Sequence, residues 1–229
     1  MEEYMLTSKE IAAMIDHALL KPDMTLKQVA EGCETAMKYM TASVCVRGCD
    51  LKYASDILKG SGVGAGTVIG FPHGSSSTAG KVEEILKAAE DNGAEADMVI
   101  PIGMAVSGAF DYIEEEIALC LQAARQGGML LKVIFENCYL TEGIIIKLCE
   151  ICSRLGVDYV KTSTGFGSWG AKAADVKLMR ENTDSHIGVK AAGGIRTLDD
   201  LLEMYSAGAT RIGASATESI IQQARIRGL

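Results

Sequence analysis

Basic charge is in short supply: 22 Lys plus Arg stand against 30 Asp plus Glu, a net charge of -8 over 229 residues. A polyanion such as nucleic acid therefore finds no general surface to bind, and any anion must be gripped locally. No apolar run reaches the roughly 18 residues of a membrane span. The start, MEEYMLTSKEIAAMID, lacks the basic head and apolar core of a secretion signal, so a cytoplasmic protein is expected. Histidine is scarce as well. His17, His73 and His186 have no second histidine at ligand spacing, which argues against a zinc site, and no metal is expected. The seven cysteines, Cys33, Cys45 and Cys120 among them, are an odd number in apolar contexts and read as reduced core thiols. Cys149 and Cys152 have C-x-x-C spacing but lie inside a helical pattern with no second pair, so they read as packing.

What the chain does have is apolar content, 48%, enough for one sizeable core over residues 1–229. Short β-rich runs alternate with amphipathic stretches, the pattern of βα units around a parallel sheet. Eight strands are predicted, at 14–20, 42–46, 65–71, 96–102, 130–136, 158–164, 188–193 and 210–215. Between them lie helical stripes such as Val82, Ile85, Leu86 and Ala89, or Ile113, Ile117, Leu121 and Ala124. Capping boxes are expected at Thr25/Gln28, Thr197/Asp200 and Ser215/Glu218, and at Thr7/Glu10 before a short extra helix on the barrel floor. Gly93, Gly127 and Gly208 follow expected helix ends. Eight βα units in a chain this long fit a single-domain (β/α)8 barrel, for which ~250 residues is typical. A doubly wound open sheet competes, but no G-x-G-x-x-G follows the first strand, and SGVGAG (61–66) precedes a strand rather than following one.

In such barrels the reacting groups sit at the C-terminal ends of strands. Four predicted strands carry the candidate polar residues Asp16, Asp97, Lys161 and Lys190. A buried lysine is costly unless it is paired or neutral. Lys161 and Lys190 fall on adjacent strands, ~4.8 Å apart, where repulsion and desolvation both favour deprotonating one of them. The pattern leaves two readings, an interior ion pair or the neutral amine that imine chemistry needs. Asp97, on an even-numbered strand like Lys161, is placed to shuttle protons, or to neutralise Lys190 or the buried Lys132. Lys132 and Glu136 are expected to belong to an ion network.

The second half of the candidate site is an anion grip. TGFG after strand six, AGGIRT after strand seven and IGASATE after strand eight bring glycine backbone, and in the last case a helix N-terminus, toward a ligand. His73, in GFPHG, is a candidate for the pocket mouth, and the lone Trp169 for rim packing or a lid.

The segments IDHALLKPD, TVIGFPHG, ADMVIPIG, LKVIFENC, YVKTSTGFG and VKAAGGIRT, spread over essentially the whole chain, resemble the deoxyribose-phosphate aldolase family. The resemblance implies a class I, Schiff-base aldolase on a (β/α)8 barrel that needs no cofactor. It implies that Lys161 forms the imine, Lys190 perturbs its pKa and assists proton transfer, and Asp97 acts in the proton relay. Asp16 would contact substrate hydroxyls, and Gly165, Gly193, Gly194, Gly213 and Ser215 would hold the phosphate. The substrates would be small phosphorylated sugars and aldehydes, and apolar helix faces allow a homodimer.

This chain departs from the family's pattern around the substrate: Ala18 stands where threonine is usual, Arg47 and Gly48 where Asn-Pro is common, and Pro101 where asparagine is common. Trp169 stands where glycine is usual, and Ala216 where serine is. These changes bear on specificity more than on chemistry. The alternatives are an aldolase of the same design with another aldehyde preference, and a phosphosugar-binding barrel without turnover.

Overall fold

The computed structural model describes residues 6–229. Eight parallel strands, β1 (Ile15–Leu19), β2 (Ser43–Val46), β3 (Gly64–Ile69), β4 (Glu95–Val99), β5 (Leu130–Ile134), β6 (Tyr159–Lys161), β7 (Gly188–Ala192) and β8 (Arg211–Ala214), pair in sequence order. Pairing of β8 with β1 closes them into a barrel. Closure leaves no sheet edge, and the open-sheet alternative falls with it. Ten helices are present among the described residues: α1 (Ser8–Ala13), α2 (Leu26–Tyr39), α3 (Leu51–Leu58), α4 (Thr78–Glu90), α5 (Ile102–Val106), α6 (Phe110–Gln126), α7 (Glu142–Leu155), α8 (Ala173–Glu181), α9 (Leu198–Ser206) and α10 (Thr217–Ile226). All but α1 and α5 form the outer ring of a (β/α)8 fold.

The helices form where the apolar period is 3.6 and bury that stripe against the sheet. In α6 Ile113, Ile117, Cys120 and Ala124 are fully buried on one face, and each isoleucine contributes about 1.5–3 kcal/mol. Cys149 and Cys152 are buried on α7 in the same way, and burial pushes both thiols up in pKa, so they act as small core residues. Capping boxes start α1 at Thr7, α2 at Thr25 and α9 at Thr197, while Ser77 caps α4. The main packing partner of α1 is α10.

Three local expectations differ from the structure. No box forms at Ser215: α10 is capped by Ala216 without a side-chain bond, and Glu218 instead accepts from Lys38 Nζ at 3.0 Å and Tyr39 OH at 2.8 Å. The fourth strand stops at Val99 rather than 102, because Pro101 has no N–H for the ladder and serves as N-cap of α5. The sixth strand is short because side-chain hydroxyls take over from the ladder, Thr162 Oγ1 donating to the Ala192 carbonyl at 3.3 Å.

Register fixes which residues point inward. Asp16 lies opposite Ser43 and Gly213, Asp97 opposite Lys132 and Val68, and Lys161 opposite Lys190, which in turn faces Arg211. In a parallel sheet such partners share a face, so one ring of the interior is charged. Outside, neighbouring helices pack on one another around the ring except α3 and α4, which touch little and leave a crevice between them.

Candidate active site

The charged ring comprises Asp16, Glu95 and Asp97 facing Lys132, Lys161, Lys190 and Arg211. Lys132 Nζ reaches Glu95 at 2.5 Å, Asp97 Oδ1 at 2.7 Å and Asp16 Oδ2 at 3.1 Å. Arg211 bridges Asp16 at 2.7 Å and Glu95 at 3.2 Å, donates to Tyr159 OH at 3.2 Å and stacks over that ring. Ser43 Oγ completes the shell with a 2.8 Å bond to Asp16. Nearer the strands' C-terminal ends, Asp97 Oδ2 accepts from Lys161 Nζ and from Lys190 Nζ, both at 2.6 Å, and Lys190 also reaches Asp16 at 2.5 Å. The two lysines expected to face each other therefore share one carboxylate oxygen.

Charge balance separates the amines. Burial lowers the pKa of Lys132 and of Lys190, but Asp16 and Asp97 beside each more than offset it, and both end above the ordinary lysine value, Lys132 well above. Lys161 ends below: burial is the largest influence, Asp97 opposes it, and Lys190 adds to it. Asp97 cannot hold the proton on Lys161 by itself because its charge is already divided among Lys132 and Lys190. Burial raises the pKa of both Asp97 and Asp16, yet the surrounding cations drive them below the usual carboxylate range. With Lys161 neutral, three cations match three carboxylates inside a water-poor barrel, the arrangement with no uncompensated charge.

A cleft of about 660 Å³ opens above this ring, and its wall includes Asp16, Ala18, Cys45, Lys161 and Lys190. Gly165, Gly193, Gly194, Gly213 and Ser215, the expected phosphate residues, all line it. Gly193 has φ +88°, and a Cβ there would stand 2.9 Å from Gly170 Cα, so the loops after β6 and β7 meet only because both residues are glycine. At Gly213 a Cβ would lie 2.9 Å from Ala192 Cβ and 3.4 Å from Lys190 Cε, crowding that amine. Burial pushes Cys45 up to about 11, which leaves its thiol protonated.

Several placements go beyond the sequence reading. Glu95 and Arg211 join the ion ring, and the period-two spacings Glu95/Asp97 and Arg211/Gly213 were the available signal. Arg196 and Lys21 add cations to the cleft wall. Glu136, expected in the ion network, pairs with no cation among the described residues. It is held at φ 59° and accepts from Thr164 N at 3.1 Å and from the Thr164 hydroxyl, tying the end of β5 to the loop after β6. His73 is exposed and lies outside the cleft lining, as does Trp169, whose ring is covered by Lys172 Nζ at 4.1 Å. His17 points away from the barrel axis to Thr217, and burial brings its pKa down to about 4.

A closed (β/α)8 barrel with a lysine–carboxylate ring below a glycine-walled cleft is the frame of a barrel enzyme. The DeoC/LacD family aldolase model matches residues 10–223, and the chain belongs to that family. It is 46% identical over 220 residues to the deoxyribose-phosphate aldolase of Caldanaerobacter subterraneus subsp. tengcongensis, covering 96% of this chain and 95% of that one. Among solved structures it is similar to QR15, an aldolase, with TM-score 0.90 and 36% identity over 95% of this chain and 97% of that one. It is also similar to the tetrameric deoxyribose phosphate aldolase from Aeropyrum pernix, with TM-score 0.90 and 27% identity over 96% and 92% of the two chains.

Proposed function

We propose that the chain is a class I aldolase that reversibly cleaves 2-deoxy-D-ribose 5-phosphate to D-glyceraldehyde 3-phosphate and acetaldehyde through an imine on Lys161. The observation that carries this reading is an amine 3% exposed, at the floor of a cleft, driven toward neutrality by burial and Lys190. Lys161 Nζ attacks C1 of the open-chain sugar, and loss of water gives an iminium. The C2–C3 bond then breaks, its electron pair flowing into the iminium to give an enamine, while the C3 hydroxyl loses its proton and becomes the aldehyde of glyceraldehyde 3-phosphate. The enamine takes a proton on carbon, and water hydrolyses the iminium to free acetaldehyde and the amine. Because the iminium is itself the electron sink, the chemistry calls for no cofactor.

Asp97 and Lys190 handle the protons. Asp97 is a weak base because Lys132 and Lys190 hold its charge, so we assign it the relay between the two amines, with a water carrying the C3 hydroxyl proton to the Lys190–Asp97 pair. Asp16 acts on the substrate hydroxyls through Lys190, which it holds at 2.5 Å. The phosphate lies against Gly165, Gly193, Gly194, Gly213 and Ser215, where backbone amides at the start of α10 and the cationic Arg196 favour an anion. We take residues 1–229 as one catalytic domain working in the cytoplasm in deoxyribonucleoside breakdown, a setting that free thiols suit, and a homodimer as its assembly.

Borohydride trapping with 2-deoxyribose 5-phosphate, read by intact mass and peptide mapping, tests this reading. A two-carbon adduct on Lys161, absent in Lys161→Ala, is the expected result. Folded protein that traps no aldehyde at Lys161 overturns it.

A further inference from the structure

A second cavity, about 730 Å³, adjoins the imine cleft and shares two wall residues with it, Leu20 and Phe166. It enters the crevice between α3 and α4, where the outer ring is thinnest. Its inner wall includes Val68, the register partner of Asp97 on the next strand. From Gly80 to Asp91 it follows α4 for about 16 Å at ~1.5 Å per residue.

The chemistry of this wall differs from that of the phosphate side. Leu51, Ile69 and Ala88 are buried apolar residues, and Phe71 meets Phe166 edge-on at 5.4 Å between ring centres. Apart from the exposed Glu83, the charged groups here are engaged elsewhere. Arg47 is spent on Asp50 at 2.6 Å and on the carbonyls of Pro22 at 2.6 Å and Met24 at 2.9 Å, Glu84 accepts from Gly70 N at 2.7 Å, and Lys87 pairs with Asp91 at 2.8 Å. None of the phosphate-side glycines lines it. Gly48, one of the positions where the chain departs from its family's usual residues, borders the cavity, and a Cβ there would meet nothing within 4 Å. A pocket of this size with an apolar floor, its charged side chains Glu83, Glu84 and Lys87 exposed to solvent, suits an uncharged, elongated apolar group.

We propose that this crevice is an acceptor subsite that takes the alkyl chain of an extended acyclic aldehyde while the aldehyde carbon faces the Lys161 enamine. The proposal rests on the aldolase reading above. In the addition direction acetaldehyde forms the enamine with loss of water, and the enamine carbon attacks the acceptor carbonyl. One carbon–carbon bond forms, the acceptor oxygen takes a proton, and water releases a 3-hydroxyaldehyde, with no oxidant or reductant consumed.

The test compares hexanal with propanal as acceptors, with acetaldehyde as donor, in wild type, Ser76→Leu and Ser76→Trp. Cleavage of 2-deoxyribose 5-phosphate and thermal melting serve as controls. Wild type is expected to favour hexanal in kcat/KM. Each variant should lower the hexanal-to-propanal ratio by about tenfold, in the range a filled apolar pocket commands, while cleaving the sugar phosphate at the wild-type rate. If folded variants keep the ratio, or wild type shows no chain-length preference while still cleaving the sugar phosphate, the subsite is wrong and the aldolase reading stands. A wild type that forms no imine with any aldehyde overturns both.

Discussion

Lys132 and Lys161 are buried amines in one barrel interior, on adjacent strands, and their surroundings send them in opposite directions. Lys132 has three carboxylates within 3.1 Å and titrates well above an ordinary lysine, whereas Lys161 has one, already shared with Lys132 and Lys190, and titrates below. Desolvation acts on both. What differs is the number of carboxylates left over for each, so the deeper part of the ring serves the fold and the end that opens on the cleft keeps the amine proposed to react. The same comparison explains how lysine can be at once among the largest fully buried side chains and the candidate nucleophile.

The sharpest way to break this comparison is to remove each amine in turn. Lys161→Met deletes the amine whose pKa burial and Lys190 lower, so the ion balance should be disturbed least; urea unfolding is expected to stay near wild type while aldol cleavage falls on the order of 10⁵-fold. Lys132→Met strips a cation from three carboxylates and should cost about 3–5 kcal/mol of stability. It should also leave Lys161 as the replacement cation, shifting the acid limb of activity to higher pH. Equal stability losses in the two variants would mean that both lysines are charged, and the neutral-amine account would fail.

A smaller effect isolates Lys190. The acid limb of kcat/KM reports deprotonation of Lys161 in the free enzyme, at a pH below the ordinary lysine value. Lys190 pushes that pKa down, so Lys190→Met should move the limb upward, with a rate loss of about 10²–10⁴ for the lost proton transfer. Lys190→Arg keeps the charge and should leave the limb near its wild-type position without restoring the rate. A limb that stays put in Lys190→Met would assign the shift to desolvation alone.

Much of this was legible in the chain because strands and site obey the same period of two. The β-rich runs marked all eight strands, and alternation within them turned Asp16, Asp97, Lys161 and Lys190 toward one axis. Glu95 and Arg211 escaped notice because each begins its strand, where a charge ordinarily reads as a solvated end. The α5 turn and the bare cap of α10 depend on local geometry at Pro101 and Ala216. The crevice between α3 and α4 has no sequence signal, since it arises from how far two helices stand apart and not from any periodic pattern within either.

Arg47 extends the comparison to the rim, where a cation sets position and not charge. Its guanidinium is fixed by Asp50 and donates to the carbonyls of Lys21, Pro22 and Met24, so it fastens the segment after β1 that supplies Leu20, Lys21 and Met24 to the cleft wall. Releasing that segment with Arg47→Met should raise KM for the sugar phosphate by about tenfold and cost about 1 kcal/mol of stability, with kcat and the pH limb close to wild type. Arg47→Lys should behave like Arg47→Met, because one ammonium cannot span several carbonyls as a planar fork does. A fall in kcat at constant KM, or a displaced acid limb, would put Arg47 in electrical contact with the interior ring, and the division between cations that set charge and cations that set shape would no longer hold.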